Sequence, residues 1–201
     1  MCHKKMQHSY YTGTLLPLLL FFVGVAVGKK MDCGTVAVCG VLTLETGLGP
    51  GVYGHHGPSV HGLWPQVGSY GTSTCVAPSV SQEDPTQIYS CYHDRSFQIH
   101  EWEKHGSCAG VKDADDFFSQ LCSLASVPIA TMSKSGNMLD TQVAGLQSAG
   151  YEIFYIDTVD SQVQLSACLN SKTGKWLLGK VAEFASICGA GGSLGSPSNE
   201  S

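Results

Sequence analysis

The sequence predicts an α+β domain stapled by disulfides. Helical and strand-like patterns mix along the chain without strict alternation, which is the α+β signature. Of 201 residues 43% are hydrophobic, enough to build the core of a single domain. Nine cysteines are more than a reducing compartment favours. Charged residues make up 13% of the chain, about half the ~25% usual in soluble domains, so charge-driven disorder is excluded. The net charge of −5 excludes a generally basic nucleic-acid binder.

The elements follow in chain order. Lys4 and Lys5 precede an apolar run, Leu15–Val27, of 13 residues. That is shorter than the ~20 residues of a membrane-spanning helix. Ala26 and Gly28 are small enough for signal peptidase, so residues 1–28 are expected to be a signal peptide cleaved after Gly28, with a retained signal anchor as the alternative. Cleavage removes Cys2, Lys4 and Lys5. Eight cysteines then remain, an even number that allows four disulfides, and nine Lys and Arg face 16 Asp and Glu. Residues 29–190 are expected to form one domain and 191–201 a flexible Gly/Ser-rich tail. Val36–Val38 and Val41–Leu44 read as a strand with its turns, and Gly47 to Pro58 as a loop. Residues 66–90 lack helical periodicity and read as loop. His100 to His105 can be helical, ending near Gly106. Asp113 can cap a second helix with Phe117, Leu121 and Leu124 on one face. Thr141 to Ala149 reads as a third helix stopped by Gly150. Tyr151–Ile156 and Val163–Leu169 carry the alternation of strands.

The histidines carry the chemistry. Two dense motifs stand about 40 residues apart: His61-Gly62-Leu63-Trp64-Pro65-Gln66, and His100-Glu101-Trp102-Glu103-Lys104-His105-Gly106-Ser107-Cys108. On a helix Glu101 and His105 share a face, and Lys104 borders it. Two histidines in opposite roles can cleave an ester by general acid–base catalysis. A neighbouring cation and a hydrogen-bond donor can stabilise a phosphorane dianion. RNA brings its own nucleophile, the ribose 2′-hydroxyl, so neither a Ser or Cys nucleophile nor a metal is needed. A helical zinc site requires His-Glu-x-x-His. Here His105 stands one residue too far from His100, about 140° off its face, so no metal is expected. His55-His56 reads as a solvated loop pair and His93 as a surface residue. Trp64 and Trp102 each have a purely core-filling reading beside any functional one.

Both motifs resemble the two active-site segments of the ribonuclease T2 family, in order and spacing, and a weaker similarity runs from about Asp32 to Cys188. The resemblance implies an antiparallel sheet flanked by helices. It implies cleavage of single-stranded RNA, not DNA, through a 2′,3′-cyclic phosphate that is then slowly hydrolysed to a 3′-phosphate. It implies His105 as general base and His61 as general acid, with Glu101 and Lys104 stabilising the phosphorane. His100 would bind phosphate, and Trp64 and Phe97 would contact the substrate. It also implies Cys75–Cys108, joining the two catalytic segments, and Cys168–Cys188. The four cysteines left over are expected to pair as Cys33–Cys39 and Cys91–Cys122, one of the three ways open to them among 105 for all eight. No cofactor is implied, and the protein is expected to be a monomer without stable membrane association, secreted or held in an acidic organelle of the secretory pathway. The pH profile is expected to be a bell centred at about pH 5–7.

The chain departs from the family in two places. Val36–Leu44 carries neither the Trp nor the Gln of the family's first strand, and Phe97 is followed by Gln98 instead of Trp. These departures bear on base preference. A non-catalytic secreted binding protein and a metal-dependent secreted hydrolase are the competing readings. The first predicts an inactive protein with a tight partner, the second loss of activity in EDTA.

Overall fold

The computed structural model describes residues 30–68, 71–82, 84–92 and 94–189. Residues 1–28 and 191–201 and His93 lie outside these residues, so the expected signal peptide, tail and surface histidine are not addressed by the fold. The fold is α+β. Strand β1 (Cys39–Glu45) pairs antiparallel with β2 (Ser59–Trp64) on one side and β6 (Gln162–Asn170) on the other. Beyond β6 lie β5 (Ile153–Asp157), against its first half, and β7 (Lys175–Leu178), against its second. A separate small ribbon joins β3 (Gln66–Gly68) to β4 (Gly71–Thr72), so residues 66–90 are not wholly loop.

Alternation along the central strands divides the sheet into two faces. Leu42 and Leu44 of β1, with Val163, Leu165, Ala167 and Leu169 of β6, enter the main core. There they meet Phe117, Phe118, Leu121 and Met132 of helix α2 (Ala114–Lys134), and Val143 and Leu146 of helix α3 (Leu139–Ser148). The opposite face changes character along its length. At one end Cys39, Val41 and Cys168 are covered by Met31, Val36 and Phe184, the last from the short helix α4 (Phe184–Ile187). At the other end the side chains turn polar, with Thr43 opposite Gln164 and Glu45 opposite Gln162. This polar end is where the site forms.

Helix α1 (Arg95–Lys104) starts five residues earlier than its sequence pattern suggests, because Asp94 caps it by accepting bonds from the Ser96 and Phe97 amides. Helix α2 runs for 21 residues and passes through Pro128 without ending there. Strand β7 was not foreseen; Trp176 on it donates to the Ala109 carbonyl at 2.9 Å.

Four disulfides staple these parts: Cys33–Cys39, Cys75–Cys108, Cys91–Cys122 and Cys168–Cys188. Cys75–Cys108 fastens the segment after β4 to the turn that follows α1, alongside a Val76 amide bond to the Cys108 carbonyl. The exits of both motif-bearing segments are thereby tied together. Among the described residues no helix is long and apolar enough to cross a membrane.

Candidate active site

The two motifs meet at the polar end of the sheet. His61 owes its position to an irregularity in β2. Leu44 pairs with Val60 and Thr43 with Gly62, so His61 is the extra residue of a bulge. Val60 and Leu63 both reach the core across the bulge, while His61 and Gly62 between them face the site. Trp64, at the end of β2, is half-buried.

The second motif supplies the facing wall. Glu101 is fully buried on α1, beside Gln98 and Trp102. Trp102 packs on Phe117 at 5.8 Å and belongs to the core, which is its structural reading. His105 caps the C-terminus of α1 and leaves the helix at φ −131°, with its amide still bonded to the Glu101 carbonyl. The chain turns there into Gly106–Cys108, and a β-carbon on Gly106 would run into the rings of Trp102 and Phe117.

The contacts among these groups are specific. The Trp64 indole Nε1 donates to Glu101 Oε2 at 2.9 Å, and the Trp64 ring stacks on His105 at 4.9 Å. Glu101 Oε1 lies 3.5 Å from His61 Nε2 and has no hydrogen-bond partner among the described residues. A β-carbon on Gly62 would occupy the space of Glu101 Oε2 and Trp64 Nε1, so only glycine permits this approach. Edge-on rings of Trp64 and Phe97, each 5.1 Å away, flank the His61 ring.

His61, His100, Glu101 and His105 all open onto one cavity of about 320 Å³. Trp64 lines it as well, with one ring face already covered by His105. Lys104 is exposed at the end of α1 and does not line this cavity. Phe97 stands behind His61, stacked 6.5 Å from His100, and lines a second cavity of about 590 Å³. On the far side of the first cavity, β5 and β6 contribute Tyr155, Asp157, Gln162 and Gln164, which the sequence reading did not single out. Tyr155 is 47% exposed there.

Another residue missed by the sequence reading is Glu45, the last of β1. Its Oε1 lies 2.7 Å from His61 Nδ1 and its Oε2 2.6 Å from His55 Nε2. His55 is therefore not a freely solvated loop residue; it is half-buried and paired, while His56 is exposed. Alternation in β1 places Glu45 on the polar face, but the bulge that brings His61 beside it has no local sequence signal.

The electrostatics set the two catalytic candidates apart. Burial works against charge on His61, but the Glu101 and Glu45 carboxylates outweigh it and raise its pKa to about 9. Burial pushes the His105 pKa below the usual imidazole value, and the nearby His61, His100 and Lys104 push the same way against Glu101. Glu45, despite burial, is held below the usual carboxylate range by His61 and His55. Near neutral pH one imidazole is thus a proton donor and the other a proton acceptor, on one cavity.

No family profile matches the chain. A curated protein from Aeromonas hydrophila named as a ribonuclease is 38% identical to it over 64 residues, which are 32% of this chain and 29% of that protein. Among solved structures, an RNase-related protein from Calystegia sepium aligns with 72% of this chain and 91% of its own, at 20% identity and a TM-score of 0.42. The likeness to a ribonuclease over those 64 residues supports the resemblance to the ribonuclease T2 family.

Proposed function

We propose that the protein is a metal-independent endoribonuclease that cleaves single-stranded RNA by transphosphorylation. The observation that carries this reading is the meeting of His61, Glu101 and His105 on one cavity, where two carboxylates raise the His61 pKa and burial lowers that of His105. His105 takes the proton of the ribose 2′-hydroxyl. The 2′-oxygen attacks phosphorus, and the P–O5′ bond breaks as His61 protonates the leaving 5′-oxygen. The products are a 2′,3′-cyclic phosphate and a free 5′-hydroxyl. Hydrolysis runs the same two groups in reverse: His61, now neutral, activates water, and His105 returns a proton to the 2′-oxygen, leaving a 3′-phosphate. The mechanism needs no metal, because substrate and histidines supply nucleophile, base and acid.

Glu101 lines the cavity from α1 and favours the charged form of His61, with Trp64 fixing one of its oxygens. His100 supplies a donor at the exposed rim. Lys104 acts through its field, as an exposed cation at the end of the same helix. The acidic balance of the chain suits a cleaved and released polyanion, since positive charge is needed only at the scissile phosphate. Four disulfides fit an oxidising setting, either outside the cell or in a secretory organelle.

The direct test is RNA cleavage by His61→Phe and His105→Phe. Each is expected to lose at least a hundredfold in rate, the lower range of general acid–base contributions. Full activity in either variant would overturn the assigned roles.

A further inference from the structure

Glu45 joins two imidazoles that belong to different cavities. His61 opens onto the cavity that holds Glu101, while His55 and Glu45 itself line the second one. Ser59 Oγ also donates to Glu45 Oε2, at 3.3 Å, and the Gln162 amide lies 3.3 Å from His61 Nδ1. The backbone fixes this arrangement, because Glu45 pairs with Ser59 on one side and Gln162 on the other.

We propose that Glu45 is the positioning residue of the general acid, and that His55 in turn holds Glu45. The proposal rests on the ribonuclease reading for its reaction, but not for its geometry. An ionised carboxylate only accepts hydrogen bonds. His61 Nδ1 must therefore carry a hydrogen, which leaves Nε2 directed to the cavity and to Glu101. A carboxylate on the far nitrogen of a catalytic histidine fixes its tautomer and stabilises its charged form. His55 bonds the second Glu45 oxygen, so the carboxylate cannot swing away from His61.

The groups that face His61 can be named element by element. Glu45 comes from β1, Glu101 from α1, and His105 from the end of α1. The Tyr53 ring lies 5.9 Å away, the Tyr92 hydroxyl donates to the His61 carbonyl, and His55 reaches it only through Glu45. Glu45 and Glu101 are the anions of this set. Removing Glu45 leaves one, and His61 then gives up its proton at a lower pH.

The test compares the wild-type chain with Glu45→Gln, which keeps the size of the side chain and removes its charge. Two readouts are taken: cleavage of a ribodinucleotide across the pH range, and an NMR titration of the His61 ring without substrate. In Glu45→Gln the alkaline limb of kcat is expected to move down by at least about one pH unit, giving roughly a tenfold loss above the wild-type limb. KM and the acid limb stay in place. His55→Gln, which retains a donor to Glu45, is expected to move the limb less. An unchanged alkaline limb and an unchanged His61 titration in Glu45→Gln would overturn the proposal, even if stability fell. If Glu45→Gln does not fold, the wild-type titration decides: a His61 that titrates like a free imidazole contradicts the pairing. If the wild-type chain cleaves no RNA, the ribonuclease reading fails, while the titrations still test the pairing.

Discussion

Trp64 donates its indole hydrogen to Glu101 across 2.9 Å, joining the end of β2 to the buried face of α1. With the 3.5 Å approach of His61 Nε2 to the other oxygen, this bond ties the first histidine motif to the buried carboxylate of the second. It accounts for Trp64 better than base stacking alone does, since His105 already covers one face of the ring. Trp64→Phe keeps the stack and removes the donor. The loss is expected to be about 1.5–3 kcal/mol of stability, the range for hydrogen bonds to charged groups. Chemical denaturation measures that cost, and kcat should fall with it as Glu101 loses its orientation.

Gly62 makes room for the same carboxylate. Gly62→Ala is expected to fold, since β2 remains paired, but to displace Glu101 and the Trp64 indole from their places. A displacement of about 1 Å at a catalytic group costs roughly a hundredfold in rate. Kinetics beside a circular dichroism spectrum would separate the loss of geometry from loss of fold.

The pH profile follows from the two imidazoles. His105 must be neutral, and its pKa lies below 6.5 because of burial. His61 must be protonated, and its pKa is raised to about 9. The rate of the first step should rise below pH 6.5, hold through neutrality and fall near pH 9. That window is broader, and extends further into alkali, than the bell at about pH 5–7 expected from unperturbed histidines. A kcat profile for cyclic phosphate formation measures both limbs.

Stability should carry the same signature. The folded-state pKa of His61 lies above its unfolded value, so the protonated form favours folding. The stabilisation is complete below about pH 6.5 and is lost as pH rises through about 9. Its full size is on the order of 3 kcal/mol by linkage. Melting temperature is expected to fall across that window in the wild-type chain and to fall less in His61→Gln.

The site was legible in the sequence to the extent that it lies in contiguous motifs. His61, Trp64, Glu101 and His105 could be named because each motif is long and dense, and the structure brings all four to one cavity. Glu45 was not legible, because it stands alone at the end of an apolar strand, 16 residues before its partner. Its role depends on a bulge that shifts the register by one residue at His61, and such a shift leaves no mark in local composition. Helix α2 was legible from its periodicity, β5 and β6 from their alternation and β1 as an apolar run, while β2 and α4 were not read. The start of α1 was not, because the cap at Asp94 precedes a run with little amphipathic pattern. Strand β7 was missed because four residues are too few to show alternation.

The central claim is the reaction itself, in which the substrate's 2′-hydroxyl is the nucleophile and two histidines move the protons. The most direct measurement is end analysis of a defined single-stranded RNA cleaved in the presence of EDTA, beside its all-deoxy counterpart. The expected products carry 2′,3′-cyclic phosphate and 5′-hydroxyl ends that appear before any 3′-phosphate, with the deoxy strand left intact. Ends bearing a 5′-phosphate, cleavage of the deoxy strand, or loss of cleavage in EDTA would contradict it.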